Sequence, residues 1–144
     1  MTVIFSKKCE IGLQAVIYLA TEGKNMLFNS LEVSEKVKQP KEFVSKVLQT
    51  LTSSGIVGSK KGKNGGFFLA KSASKIRLIE IVEAIDGLDI FNNCVLGFPG
   101  CSSAEPCPVH DKWGKLRDEA YKMLSEETLE DIKDISKLKI STLK

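Results

Sequence analysis

Histidine is all but missing from this chain. The single one, His110, leaves any Ser-His or Cys-His hydrolase one base to draw on, and no nucleophile stands in an obvious pairing with it. Paired catalytic carboxylates do not stand out, and neither does a phosphate loop. Gly58–Asn64 has the wrong spacing for one and lacks the Ser/Thr after Lys that holds magnesium. The residues therefore predict no enzyme. Cysteine is scarce as well: four in 144 residues are too few for a secreted disulfide scaffold. A chain of this length buries a core without such staples. No apolar run approaches the roughly 20 residues needed to cross a bilayer, and Met1–Ser6 is short for a signal peptide. These absences predict a soluble, cytoplasmic protein with no membrane partner.

What is present is unevenly spread. Residues 1–75 carry 12 Lys against 5 Glu, a net of +7, whereas residues 76–144 carry 9 basic and 13 acidic side chains, a net of −4. The overall formal charge of +3 hides this split. Segregation of sign predicts that the first half meets a polyanion and the second does something else.

Apolar spacing marks the elements. Ser6 is placed to cap a helix running to about Glu22, with Leu13, Val16, Ile17 and Ala20 on one face and Gly23-Lys24-Asn25 as its stop. Ser30 opens a short helix to about Lys38. Pro40, tolerated in a first turn, leads a third helix whose Phe43, Val44, Val47, Leu48 and Leu51 repeat at three and four residues. Gly55 follows as a left-handed cap. The other face of that helix shows Lys41, Glu42, Ser45, Lys46 and Gln49, with no bulky apolar residue among them. Two short helices, a tight connection and a polar second helix make a helix-turn-helix pattern.

Strands are expected at Ile56–Ser59 and Phe67–Ala70. The loop between them, Lys60-Lys61-Gly62-Lys63-Asn64-Gly65-Gly66, has three glycines that let its backbone come close to another surface. Its lysines and asparagine are phosphate and minor-groove groups. A basic hairpin after a helix-turn-helix is a wing; the plainer alternative is a solvated lysine-rich turn. Leu78–Asp86 then makes a fourth helix that closes the small domain.

Cys94, Cys101 and Cys107 stand in one proline- and glycine-rich loop with six and five residues between them. Three soft thiolates suit zinc or an iron–sulfur cluster. The close cysteine pair usual in structural zinc sites is absent, so the wider spacing favours a cluster, with zinc or redox disulfides as alternatives. His110 is a candidate fourth ligand, or simply an exposed residue at a helix start. From Asp111 to Ser125, Trp113, Leu116, Ala120 and Met123/Leu124 form a seam that a second copy of the chain would cover. Thr128 and Asp131 resemble a capping box for a last short helix, Leu129 to about Ile135. Little in the remainder would order it. Cys9 reads as a small buried apolar residue.

Together these pieces resemble the Rrf2 family of bacterial transcription regulators over about residues 4–135. The resemblance is carried by Phe5-Ser6-Lys7, Leu31-Glu32-Val33-Ser34-Glu35, Ser54-Gly55-Ile56-Val57, the Lys61-to-Phe67 wing, the Ile81-to-Asp86 helix and the three-cysteine loop. It implies a homodimeric winged-helix protein whose loop cysteines hold a [2Fe–2S] or [4Fe–4S] cluster. The remaining ligand in such proteins is a histidine after the third cysteine, matched by His110, or a carboxylate early in the partner's first helix, where Glu10 stands. Six residues separate the first two cysteines where five is common, and Cys9 lies outside the usual pattern.

The expected architecture is thus mainly α with a small β-wing. It comprises a winged helix-turn-helix DNA-binding domain at 1–87, a cluster-binding loop at 88–110, a dimerisation helix region at 111–135 and a C-terminal tail at 136–144. The expected function is a repressor acting on a roughly palindromic operator in double-stranded DNA, its affinity controlled by an iron–sulfur cluster on Cys94, Cys101 and Cys107. Lys41, Glu42, Ser45, Lys46 and Gln49 would face the major groove, and Lys60, Lys61, Lys63 and Asn64 the phosphates or minor groove. The rivals are a metal or thiol redox protein that does not bind DNA, and the same DNA-binding regulator with zinc or a thiol switch in place of the cluster.

Overall fold

The computed structural model describes residues 4–22, 26–141 and 143; the expected stop at Gly23-Lys24-Asn25 lies outside them. Helix α1 (Lys7–Thr21) starts as predicted, with the Ser6 hydroxyl accepting the Cys9 N–H at 3.0 Å. Asp86 in turn accepts the Ser6 backbone N–H at 2.9 Å and the Ser6 hydroxyl, tying the start of α1 to the end of α4 (Leu78–Ile85). A cap of this kind contributes about 1 kcal/mol. More of α1 is buried than the predicted stripe: Cys9, Ile11, Ala15, Val16 and Leu19 are all enclosed, while Leu13 and Ile17 are only partly so. The helix is central, with neighbours on several sides, so one amphipathic face does not describe it. Gly12 lies against Ile85, whose side-chain end would have to shift to admit a Cβ there.

Helix α2 (Ser30–Val37) is capped by Asn29, whose side chain accepts the Glu32 N–H at 2.8 Å. It ends at Lys38, which adopts the left-handed conformation (φ 57°). That reversal, followed by Gln39 and Pro40, makes the tight connection to α3 (Lys41–Ser53). Pro40 sits just outside α3, where it has no N–H to lose and its carbonyl accepts from Val44 at 3.1 Å. Val33 and Val37 of α2 share one core with Val44, Val47, Leu48 and Leu51 of α3. Gly55, at φ 84°, turns the chain out of α3 as expected.

The wing pairs β1 (Val57–Lys60) with β2 (Gly66–Leu69) in antiparallel register, Val57 opposite Leu69 and Lys60 opposite Gly66. Each predicted strand is displaced by one residue. A third backbone segment takes part: Phe28 exchanges two hydrogen bonds with Phe67, at 2.7 and 3.0 Å, which fixes the start of β2. Gly66 must be small there, since a Cβ would lie 2.8 Å from the Phe28 carbonyl oxygen.

The largest departure from the sequence reading is at the C-terminus. The long helix α5 (His110–Glu126) leads into α6 (Leu129–Ser141), which extends well past Ile135 and packs along α1. The expectation of an unordered tail from Ser136 therefore fails through Ser141. Nor does the domain's core close at α4, because Leu129 is wholly buried within it and Ile140 packs against it. Leu78 N–H donates to Glu127 O at 3.1 Å and Leu129 N–H to Ile76 O at 3.0 Å, so the α5–α6 junction is stitched to the segment entering α4. Thr128 and Asp131 do form the predicted reciprocal cap, at 3.1 and 3.2 Å. A second, smaller core gathers Cys9, Ile79, Val82, Phe91 and Leu124 beneath α5.

Candidate nucleic-acid interface and metal centre

Burying Val44, Val47, Leu48 and Leu51 turns the opposite side of α3 outward. Lys41, Glu42, Lys46 and Gln49 are exposed and Ser45 half-buried. The Gln49 amide nitrogen lies 3.3 Å from the Ser45 hydroxyl, one turn away, as its donor. Lys60, Lys61, Lys63 and Asn64 are exposed on the wing. Ion pairs among the described residues join Lys7 to Glu10, Lys71 to Glu80 and Lys133 to Glu130, and leave all five of these α3 and wing lysines uncommitted.

The two basic elements converge. A groove of about 510 Å³ runs between the wing and the starts of α2 and α3, with Lys41 on one side and Lys60 and Lys61 on the other. Asn29 and Ser30 complete its wall. Sequence reasoning missed both, reading Ser30 only as a helix start. Sequence marks them only as a polar pair at a helix N-terminus; the pairing of Phe28 with Phe67 is what brings them to the wing. Lys63 and Asn64 stand beyond the groove at the wing tip.

The cysteine loop brings its three predicted ligands together. The sulfurs of Cys94, Cys101 and Cys107 all lie within 4.8 Å of one another, Cys94 and Cys107 at 3.5 Å. Gly97 (φ 81°) turns the chain shortly after Cys94, and its N–H donates to the Cys94 carbonyl at 3.1 Å. Desolvation pushes the Cys94 thiol up, but the backbone N–H groups of Phe98 and Leu96, aided by the other two thiols, outweigh it and hold the group at about 7. Cys107 moves the other way, raised first by desolvation and then by its sulfur neighbours. One thiolate stabilised by amide donors beside two further thiols is a donor set for a soft metal.

His110, first residue of α5, has its Nδ1 3.2 Å from the Cys101 sulfur. Glu10 lies in the first turn of α1, apart from the triad within this chain. Cys9 is fully enclosed, and desolvation, then the charge and hydrogen bond of Asp86, push its thiol up to about 12. It is packing, as expected. The residues thus fit a metal group. Around a single tetrahedral ion with 2.3 Å bonds, sulfurs stand about 3.8 Å apart, close to the Cys94–Cys107 separation. A cluster would take its thiolates onto different irons, and Cys94, Cys101 and Cys107 are the residues that would hold it.

The predicted α5 seam is divided. Leu124 is buried in the second core, and Trp113 and Ala120 are half-buried. Leu116 and Met123 remain 60% and 56% exposed. Among the described residues no helix is long and apolar enough to cross a membrane.

Comparison with known proteins agrees with this anatomy. A family model described as "Rrf2: Iron-dependent Transcriptional regulator" matches residues 5–135. An Aquifex aeolicus protein named as a candidate HTH-type transcriptional regulator is 34% identical over 134 residues, 92% of each chain. The HTH-type transcriptional regulator IscR of Photorhabdus laumondii is 30% identical over 127 residues, 88% of this chain and 77% of that one. Among solved structures, CymR, the global cysteine regulator of B. subtilis, superposes with a TM-score of 0.76 at 20% identity, covering 93% of this chain and 98% of its own.

Proposed function

Because this chain belongs to the Rrf2 family of transcriptional regulators, we propose that it is a cytoplasmic repressor. It binds a roughly palindromic operator as a homodimer, under the control of an iron–sulfur cluster on Cys94, Cys101 and Cys107. The observation that carries the proposal is the convergence of those three sulfurs in a loop between a winged helix-turn-helix and an exposed helix seam.

Each residue has a physical task. Helix α3 lies in the major groove, where Glu42 can accept from cytosine N4 and Gln49 can pair with adenine, while Lys41, Ser45 and Lys46 reach bases and phosphates. Lys60 and Lys61 hold a backbone phosphate in the groove they share with Lys41, and Lys63 and Asn64 reach the adjacent minor groove. Leu116 and Met123 of α5 cover the same face of a second copy, which sets two recognition helices at half-sites one or more turns apart. Residues 1–87 with α6 read DNA, 88–110 sense, and 111–126 dimerise.

When bound, the cluster supplies iron open to loss or attack by oxygen or nitric oxide. His110, or Glu10 of the partner subunit, would complete its ligands. Ligation alters affinity only if the loaded and empty dimers differ in free energy on DNA. The loop is positioned for this, since it joins α4 to the dimer helix.

A second reading keeps the regulator and places zinc in the loop; the near-tetrahedral 3.5 Å separation favours it. Anaerobic purification, a visible spectrum and iron, zinc and sulfide counts decide between them. Coloured protein with iron and sulfide in comparable amounts supports the cluster. Colourless protein with stoichiometric zinc supports the second reading, and absence of any metal after reconstitution overturns both.

A further inference from the structure

Between residues 94 and 107 every backbone hydrogen bond among the described residues is local: Gly97 to Cys94, Ser102 to Glu105, and then His110 to Cys107 at the exit. Nothing in that set holds the first cysteine against the body of α5. Two side chains do so at one remove. The Trp113 indole N–H donates to the Asn93 carbonyl at 2.8 Å, and Arg117 Nη1 donates to the same oxygen at 3.3 Å. These donors lie one turn apart on α5 and meet on the residue immediately before Cys94.

The arginine is a costly choice for that place. Its Nε is buried with no hydrogen-bond partner among the described residues, and an unmet buried donor is unfavourable. The cost is understandable if the side chain is required to hold the Asn93 carbonyl from the second side.

We propose that Trp113 and Arg117 are positioning residues for the metal centre. They form a two-pronged latch on the Asn93 carbonyl that sets Cys94 within reach of Cys107 and makes α5 follow any movement of Cys94. The inference deepens the metal-centre reading and rests on it only for the consequence, not for the latch itself. Neither side chain acts on the sulfurs directly; both act through the backbone. Such outer partners orient ligands, and their loss typically weakens metal binding ten-fold or more.

The test uses the full chain, metal-free and reduced, titrated with cadmium while the thiolate-to-metal charge-transfer band is followed. Trp113→Phe keeps an aromatic ring and removes the donor. It should weaken cadmium binding by about ten-fold with an unchanged thermal unfolding midpoint. Unchanged cadmium affinity in W113F would overturn the latch. Should W113F unfold early, Arg117→Gln carries the same test, and Arg117→Lys should recover part of the loss. Hydrogen exchange at the 94–98 amides, measured without metal, should quicken in both donor-removing variants. Exchange as slow as wild type would reject the latch even if the protein takes up no cadmium, an outcome that by itself counts only against the metal reading.

Discussion

The polar face of α3 and the cysteine loop are both exposed, yet they are held by opposite means. The polar side of α3 stands on Val44, Val47, Leu48 and Leu51, each wholly buried. Its shape is dictated from beneath by apolar packing, and the side chains above it are free to specialise. The loop has no such floor: Val95, Leu96 and Phe98 are about half exposed, at 51%, 53% and 55%. It is held by short turns, thiol neighbours and one carbonyl at its base. Under the proposed function the α3 face must keep its shape to read DNA and the loop must be able to change to sense, which matches an apolar core under the first and not the second.

Substitutions can break this contrast in a definite order. Cys101→Ala should abolish metal uptake while leaving a folded chain, seen as loss of the charge-transfer spectrum with an unchanged far-UV signal. A fully loaded mutant would mean the ligand set is wrong. Next, Leu48→Ala should lower stability to denaturant by about 2–5 kcal/mol through lost burial and the cavity left behind, and weaken DNA binding with it. The matching change on the loop, Phe98→Ala, should cost under about 0.5 kcal/mol. Equal losses would erase the distinction between a supported and an unsupported surface.

Smaller effects sharpen the comparison. Lys61→Ala should weaken binding to all DNA sequences alike and reduce the salt slope by about one unit; an unchanged slope would remove the wing from the contact. The two kinds of cysteine should also part on pH. Cys9 has its folded pKa raised from 9.0 to about 12, so the unfolded chain releases its proton first. The resulting stabilisation is complete below about pH 9 and is lost as pH rises toward 12. Denaturant midpoints of wild type should therefore fall more steeply between about pH 8 and about pH 10.5 than those of Cys9→Val.

The contrast also explains what could be read in advance. The recognition helix was legible because its polar and apolar residues alternate at helical spacing, and the wing because glycine and lysine concentrate between two apolar runs. The cysteines were legible by type and by their crowding into one loop. The reach of α6 was not: Ile135 is 82% exposed, so the apolar spacing misleads there, and the stitch from Leu78 to Glu127 joins distant backbone atoms that carry no local pattern. Asn93 was invisible for the same reason, since it contributes a carbonyl that any residue possesses. Asn29 and Ser30 were readable as helix-capping residues, but their place in the basic groove depends on Phe28 pairing with the wing.

The stitched junction at residues 127–129 gives α5 the mechanics of a lever. One end is pinned to the segment entering α4, and the other carries His110 beside Cys101. Its 17 residues make a rod of about 25 Å, so a tilt of about 10° at the pinned end sweeps the far end through about 4 Å. A stroke of that size is comparable with the 4.8 Å within which all three sulfurs lie. If the proposed ligation moves the tip by that distance, the same displacement is a rotation at the pivot.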